Sequence, residues 1–191
     1  MPSENIFVGL DIGTTKVCTV VGERNDKGTL EIIGVGTSKS KGMRRGVVIN
    51  IEATLKSVSE SIEAAEMMSG REIQSVITGI GGAHIEGINS RGVVAVAGKD
   101  REISHDDIRR VIDAAKAVVI PMDREVLHVL PQEFVVDDQR GIRDPIDMIG
   151  VRLEAEVHII TGLVSSAENL IKCVNRAGFR VQEIVLQSLA S

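Results

Sequence analysis

Short apolar runs separated by turn residues dominate the first forty residues. The runs are NIFVGLDIG, KVCTVVGE and TLEIIGVGT, and turn residues lie between them at Gly13-Thr14 and at 25–28. Runs of this length that are rich in valine and isoleucine are typical of β-strands. The pattern therefore predicts three short strands joined by tight turns in a meander.

The next segment has helical periodicity. Apolar residues follow steps of three and four between residues 51 and 68, Asn50 stands where an N-cap is expected, and Gly70 can end the helix. The run SVITGI then predicts a buried strand. Up to residue 80, the predicted order is three strands, one helix and one strand.

A different pattern begins near Gly81. The segment GAHIEGINSRGVVAVAG predicts a hairpin. Ser104 and Asp107 then have the spacing of a capping box, which predicts the start of a helix.

Two strand-like runs separated by a polar loop follow this helix. The run EVLHVLPQEFVV is expected to be broken by Pro131, whereas VRLEAEVHIITG alternates apolar with polar residues. The segment DDQRGIRDPIDMIG between them is predicted to be a loop. Together these elements predict a compact insert in which one helix covers an antiparallel sheet.

The first pattern returns at Ser165. Ser165 and Glu168 have capping-box spacing, Gly178 can end the helix, and RVQEIVL predicts a strand that ends at Leu186-Gln187. A helix followed by a strand is the unit that adds a parallel strand to a sheet. We therefore expect the residues on both sides of the insert to form one domain.

Composition restricts the functional classes. Of 191 residues, 43% are hydrophobic, with three phenylalanines and no tryptophan or tyrosine. An aliphatic core of this kind suits an α/β fold better than a platform on which nucleic-acid bases stack. The net charge is −5 and the basic residues are scattered, so no nucleic-acid partner is expected.

The same composition bears on location. The two cysteines, Cys18 and Cys173, are far apart in sequence, which favours a reducing, cytoplasmic compartment. No apolar run reaches the roughly 18 residues that a membrane span requires. The sequence therefore predicts a chain that is neither secreted nor inserted into a membrane by its own segments.

The stretch GLDIGTTKV carries the main candidate chemistry. A turn with Gly13, Thr14 and Thr15 can direct several backbone N–H groups and two hydroxyls towards phosphate oxygens. Asp11 repels a phosphate unless a cation such as Mg²⁺ lies between them. The stretch is not a Walker A loop, since Lys16 precedes valine rather than serine or threonine. A plain hairpin with a capping aspartate is the alternative.

Two further clusters have simpler interpretations. Gly79, Gly81 and Gly82 match a nucleotide fingerprint poorly and are interpreted as a hinge into the insert. The segment Met43-Arg44-Arg45 is either an exposed basic loop or a contact for an acidic partner, and the loop is the simpler hypothesis.

Two levels of family resemblance are carried by quoted segments. GLDIGTTKV, at the first hairpin of an α/β chain, resembles the first phosphate loop of the actin, heat-shock-70 and sugar-kinase superfamily. GVGTSKSKGMRRGVVINIEA, REVLHVLPQEFVVDDQRGIRDPIDMIGVRLEAEVHIIT and NRAGFRVQEIVLQSLAS are similar to the FtsA family of bacterial cell-division proteins. The resemblance covers nearly every residue from Ile6 to Ser191.

The resemblance implies an α/β fold with an actin-like, ribonuclease H-like mixed sheet. Residues 1–83 and 164–191 would form an incomplete subdomain 1A, and residues 84–163 an inserted α+β subdomain 1C of the SHS2 type. Actin carries its insert between the third strand and the first helix, where residues 37–51 are too few to form one. The insert here follows the fourth strand, as in the FtsA family.

The resemblance also implies roles for particular residues. Asp11 would organise the shell of Mg²⁺ through water, while Gly13, Thr14 and Thr15 would face the β- and γ-phosphates of ATP. Lys16 is a further cofactor-binding candidate, with a solvated strand residue as the alternative.

The catalytic candidate lies at the end of the last predicted strand. Gln187 aligns with the position at which related ATPases carry the residue that orients the attacking water, so it is the one catalytic candidate. Hydrolysis by the whole protein is expected to be weak. The present chain alone is expected to be inactive and to bind ATP weakly or not at all, because superfamily sites lie between two similar halves.

At the level of function, the resemblance implies an ATP-binding scaffold that links the FtsZ ring to the cytoplasmic membrane and recruits later division proteins. The FtsZ and membrane contacts would lie in regions outside this chain, at the cytoplasmic face of the inner membrane at the division site. Self-association and later division proteins would use residues 84–163. The alternative is the first half of a catalytic superfamily member such as a sugar kinase.

Overall fold

A computed structural model describes residues 5–98 and 100–190. The strands of this part of the chain are β1 (Ile6–Ile12), β2 (Lys16–Arg24), β3 (Leu30–Lys39), β4 (Met43–Arg44), β5 (Val47–Val48), β6 (Ser75–Ile80), β7 (Glu86–Ala95), β8 (Arg124–Val136), β9 (Gln139–Ile142), β10 (Arg152–Leu163) and β11 (Arg180–Leu186). The helices are α1 (Ile51–Ser69), α2 (His105–Ala115), α3 (Val164–Arg176) and α4 (Gln187–Ala190).

The described residues divide into two compact units. The first unit holds the residues up to His84 together with those from Leu163 onward, and the second unit is Ile85–Gly162. The chain therefore leaves the first unit once, forms the second and returns.

A five-stranded sheet with the order β11-β6-β1-β2-β3 forms the first unit. Strands β1, β2 and β3 are antiparallel neighbours, as expected of the meander, whereas β6 lies parallel to both β1 and β11. The parallel strands follow α1 and α3, because a helical crossover returns the chain in the same direction. The predicted mixed α/β sheet is confirmed.

Helix α1 begins and ends where the sequence predicts. The Asn50 side chain accepts a hydrogen bond from the Ala53 N–H at 3.0 Å, and Gly70 ends the helix with a left-handed φ of 65°. Val58 and Ile62 on its apolar face are fully buried against the sheet. Gly36 of β3 permits this close approach, since a Cβ there would stand 2.5 Å from the Ala65 nitrogen and closer still to the Ser61 carbonyl oxygen.

The second unit has a four-stranded sheet with the order β7-β10-β8-β9, in which β7 and β10 are antiparallel, as are β8 and β9. Leu153, Ala155 and Val157 on one face of β10 are buried in the same core as Val111 of α2. The predicted insert with one helix on a sheet is confirmed.

The hairpin predicted between residues 82 and 98 is wrong. This segment forms the single strand β7, and Asn89 and Ser90 lie inside it, paired with β10. Gly92 serves packing against α2 instead of a turn, because a Cβ there would stand 2.6 Å from the Ala115 nitrogen.

Pro131 does not break β8, which continues from Arg124 to Val136. In β8, the residues that pair with β9 are Phe134 and Val136. Pro131 lies before this paired part, so the side of β8 that faces β9 is an edge there. Proline is tolerated in edge strands. The predicted loop after β8 is also partly wrong, because Gln139–Ile142 forms β9.

The capping box predicted at Ser165 and Glu168 is not formed. Strand β10 leads directly into α3, which begins at Val164 with Leu163 at the N-cap position and no side-chain cap. Ser165 therefore lies inside the first turn, two positions after the N-cap, where it cannot cap the helix. The predicted stop at Gly178 is confirmed, since Gly178 directly follows the C-cap with a φ of 97°.

The capping box at α2 is formed, and Asp107 is its centre. The Asp107 carboxylate is 2% exposed and accepts hydrogen bonds from the Ser104 N–H and hydroxyl, the Ala97 N–H and the Arg110 guanidinium. Burial alone would raise the pKa of Asp107, but these hydrogen bonds outweigh it and lower the pKa from 3.8 to about 2.

We expect this carboxylate to make the stability of the second unit depend on pH. A lowered pKa stabilises the fold above about pH 4, and the stabilisation is lost as the pH falls through about 2. The difference in free energy of unfolding between the wild type and Asp107→Asn should therefore shrink by about 2 kcal/mol between neutral pH and about pH 2. Urea unfolding at both pH values measures it. The exposed Asp106→Asn is the control, and an equal, pH-independent loss in both variants would contradict the assignment.

Candidate functional site

The turn between β1 and β2 is held by the segment that follows β3. The Gly13 N–H donates to the Lys16 carbonyl at 3.0 Å, which closes the turn itself. The Ser40 N–H donates to the Thr15 carbonyl at 3.1 Å, and the Gly46 N–H to the Thr14 hydroxyl at 3.3 Å. A hydroxyl that accepts one hydrogen bond can still donate its proton, so the Thr14 side chain keeps a donor for an anion.

A cavity of about 500 Å³ lies on the five-stranded sheet beside this turn. Its lining includes Asp11 from the end of β1, Gly79 from the end of β6 and Gln187, which directly follows β11. These three parallel strands end at the same edge of the sheet, where open α/β sheets bind ligands. The complete lining is Gly9, Leu10, Asp11, Lys16, Cys18, Val20, Ile77, Thr78, Gly79, Val185, Gln187 and Ala190.

Asp11 and Gln187, separated by 176 positions in sequence, are in contact. The Gln187 side-chain amide donates a hydrogen bond to the Asp11 carboxylate. Gly79 makes room for this pair, since a Cβ at Gly79 would stand 2.9 Å from Cγ of Gln187, and a Cβ at Gly81 would be closer still to the Gln187 amide oxygen. The contact brings together the predicted metal organiser and the predicted catalytic residue.

The predicted site residues fall into two groups. Asp11, Lys16 and Gln187 line the cavity, whereas Gly13, Thr14 and Thr15 form the adjoining turn outside its lining. Sequence reasoning missed Gly79 and Gly81 as residues of the site, because it interpreted them as a hinge. Their position directly at the end of a buried strand, beside the strand that carries Asp11, is the signal that could have identified them.

Among residues 5–98 and 100–190, no group of three or more histidine, cysteine, aspartate or glutamate side chains is placed to hold a metal ion. A single carboxylate such as that of Asp11 is enough for a cation that takes its other ligands from water and phosphate, as Mg²⁺ bound to a nucleotide does. Within the same residues, no helix is both long and apolar enough to span a membrane.

A second cavity of about 330 Å³ lies in the second unit. It contains none of the predicted site residues, and the His158 ring is in hydrogen-bond contact with the Asn89 side chain at 2.6 Å on its wall. The geometry therefore concentrates the candidate chemistry in the first unit.

Comparison with known proteins gives a fold relative and a domain match. Residues 82–161 match the family described as the SHS2 domain inserted in FTSA. Among solved structures, the PilM-PilN type IV pilus biogenesis complex aligns with a TM-score of 0.65 over 96% of this chain and 48% of that chain, at 12% identity. At this identity the likeness shows a shared fold alone.

Curated relatives are far closer in sequence. The cell division protein FtsA of Borreliella burgdorferi is 62% identical over 99% of this chain and 46% of the relative, and that of Pseudomonas aeruginosa is 50% identical over 99% and 45%. FtsA of Escherichia coli is 40% identical over 97% of this chain and 44% of the relative. The chain thus spans about half the length of the curated relatives it matches. These relatives match 97–99% of this chain at 40–62% identity, and its inserted domain matches the FtsA domain family as well. The chain therefore belongs to the FtsA family.

Proposed function

We propose that the chain carries one half of an ATP site in an actin-like cell-division protein. The observation that supports this most is the meeting of Asp11 and Gln187 in one cavity, at the edge of the sheet formed by the ends of β1 and β11. Family membership points to cell division, and a cavity at this edge points to a ligand.

In this proposal the first turn binds the phosphates. The backbone N–H groups and the hydroxyls of Thr14 and Thr15 bind the β- and γ-phosphate oxygens, while the Gly13 N–H keeps the turn closed on the Lys16 carbonyl. Asp11 holds the water shell of Mg²⁺, and the bound cation offsets the charge of the phosphates. Because the relatives are about twice as long, the remaining contacts to ATP come from residues outside this chain.

Lys16 and Gln187 have the remaining roles. Lys16, at the start of β2, is exposed and lines the cavity, so its ammonium contributes positive charge beside the phosphates. Gln187 orients a water through its side-chain amide, which can both donate and accept a hydrogen bond. Its present hydrogen bond to Asp11 holds that amide at the candidate cation position.

We further assign the two units of the fold to subdomains. Residues 1–83 and 164–191 correspond to part of subdomain 1A, and residues 84–163 to the SHS2-type subdomain 1C. The match of the inserted domain to residues 82–161 supports these boundaries.

The whole protein, in this proposal, is a scaffold that connects the FtsZ ring to the cytoplasmic membrane and recruits later division proteins at the division site. FtsZ and the membrane bind outside this chain, whereas residues 84–163 contact other copies of the protein and later division proteins. Hydrolysis of ATP is weak. The curated FtsA relatives favour this function over that of a sugar kinase.

We expect Thr15→Val to weaken ATP binding by an intact FtsA-family protein that carries these residues. Valine keeps the shape of threonine but removes one hydroxyl, so the Kd for ATP with Mg²⁺ should rise roughly five- to tenfold, equivalent to about 1–1.5 kcal/mol. Isothermal titration calorimetry measures the change. The control is Thr37→Val in β3, an exposed threonine outside the turn and the cavity, which should leave the Kd unchanged.

Two results would contradict the proposal. An unchanged Kd in both Thr14→Val and Thr15→Val would remove the turn hydroxyls from the site. Micromolar ATP binding by the 191-residue chain alone would contradict the division of the site into two halves.

A further inference from the structure

The short hairpin formed by β4 and β5 contains a residue that conflicts with its turn. Met43 pairs with Val48 and Arg44 with Val47, which leaves a two-residue loop of Arg45 and Gly46. Both loop residues have positive φ, 52° and 80°. Turns of this kind favour Asn-Gly, because asparagine tolerates the left-handed region that a long side chain adopts only with strain. Residues in strained backbone conformations are often found at functional sites, so an arginine at this position points to a function of its side chain.

The hairpin turn is fixed beside the predicted phosphate-binding turn. The Gly46 N–H donates to the Thr14 hydroxyl at 3.3 Å. Behind it, a Cβ at Gly46 would stand 2.7 Å from Cα of Gly82, and a Cβ at Gly82 would stand 2.6 Å from the carbonyl oxygen of Arg45. The two backbones therefore pack directly together, and Arg45 is held one residue from the contact with Thr14.

The surroundings of the turn carry excess positive charge. Lys16 and Lys39 occupy directly opposite positions on β2 and β3, and like charges in this arrangement destabilise a sheet. In the part of the chain that the structure describes, no carboxylate lies within 4.0 Å of the charged groups of Lys16, Lys39, Lys41, Arg44 or Arg45. Elsewhere in the same unit, Arg71 is paired with Glu23 and Arg176 with Glu52. None of these five cations is therefore ion-paired within the described residues.

Two kinds of anion could bind beside the Arg45-Gly46 turn: an acidic protein segment or a phosphate group. The hydrogen bond to the Thr14 hydroxyl favours phosphate, because it places the arginine turn against a residue that is itself a predicted phosphate donor. Arginine also suits phosphate through its fork of N–H donors.

We propose that the Arg45-Gly46 turn is a second wall of the phosphate site, at which the Arg45 guanidinium binds the terminal phosphate group of the ligand held on the Gly13–Thr15 turn. This inference rests on the proposed function and adds a residue to it. Arg44 and Lys39 strengthen the local positive potential without a specific contact.

The test uses inorganic tripolyphosphate and the 191-residue chain. Backbone amide shifts in NMR spectra detect binding even at millimolar Kd, and tripolyphosphate should shift the signals of Gly13, Thr14 and Gly46. In Arg45→Asn the charge is lost but the turn gains its favoured Asn-Gly sequence, so that the fold is kept. The Kd of this variant should rise roughly three- to tenfold, whereas Arg45→Lys should stay within about threefold of the wild type.

The control is Lys172→Gln, which removes one positive charge from the exposed face of α3 and should leave the Kd unchanged. If tripolyphosphate shifts Gly13 and Thr14 but binds Arg45→Asn as tightly as the wild type, the inference is wrong and the proposed function stands. If tripolyphosphate shifts none of the residues 13–15 and 46, the inference is overturned, whereas the proposed function, which needs residues outside this chain, is judged by the Thr15→Val titration in the intact protein. If a poly-glutamate peptide shifts Gly46 more than tripolyphosphate does, the turn binds an acidic protein segment and the inference is overturned.

Discussion

Replacing Gly36 by alanine is expected to lower the free energy of unfolding of the first unit by about 3 kcal/mol or more. Gly36 lies in the middle of β3 and faces α1, where a Cβ would overlap the Ser61 carbonyl and approach the Ala65 nitrogen to 2.5 Å. Backbone atoms cannot rotate away as a flexible side chain can, so the helix must move off the sheet. This movement would expose Val58 and Ile62, which are now fully buried.

Chemical denaturation monitored by circular dichroism measures this loss. Gly9→Ala in β1 is the matched control, because a Cβ at Gly9 meets no atom within 4 Å and its φ is not positive. We expect this control to change the free energy of unfolding by less than about 1 kcal/mol. Equal stability of the two variants would show that α1 can shift on the sheet at little cost.

The elements with strong local signals could be predicted from the sequence. Helix α1 has both a cap at Asn50 and a left-handed stop at Gly70, and its apolar period agrees with both. The capping box at Ser104 and Asp107 is formed for the same reason: two side chains three positions apart satisfy each other's backbone groups without tertiary help.

The errors occur where tertiary packing decides. Gly92 looks like a turn residue, yet it lies in a strand. It is a glycine because α2 passes too close for a side chain. Pro131 stays in β8 because β9 covers only another part of that strand. Ser165 fails to cap α3 because β10 runs directly into the helix, whose N-cap position is Leu163, two residues earlier. Each of these outcomes depends on how one element packs against or continues into another, which the pattern around a single glycine, proline or serine does not reveal.

The site shows the same division. The Gly13–Thr15 turn could be named as a candidate from nine consecutive residues, and Asp11 and Gln187 from the resemblance to a family. The Asp11 and Gln187 side chains touch because β1, β6 and β11 are parallel neighbours in one sheet. Strand β11 follows the insert in sequence, so local patterns near Asp11 do not reveal this contact. The role of Gly79 depends on the same order, as does the approach of the Arg45 turn to Gly82.

Asp11→Asn in an intact FtsA-family protein carrying these residues is expected to weaken binding of ATP in the presence of Mg²⁺ roughly 10- to 100-fold. Asparagine keeps the size of aspartate and an oxygen that can accept the hydrogen bond from Gln187, so the cavity should keep its shape. The substitution removes the negative charge that, in the proposed site, holds the water shell of the cation. Calorimetric titration with ATP at saturating Mg²⁺ measures the loss, and Asp26→Asn in the turn after β2 is the control.

The titration without Mg²⁺ separates this role from a merely structural one. Without the cation, the Asp11 carboxylate repels the phosphates, so Asp11→Asn should bind free ATP as tightly as the wild type or more tightly. The sign of the effect therefore reverses between the two conditions. A loss of equal size with and without Mg²⁺ would mean that Asp11 supports the fold of the turn through its contact with Gln187, and its assignment as the metal organiser would have to be given up. Because the substitution leaves the backbone N–H groups and hydroxyls of Thr14 and Thr15 in place, any affinity that remains without Mg²⁺ measures what the turn contributes by itself.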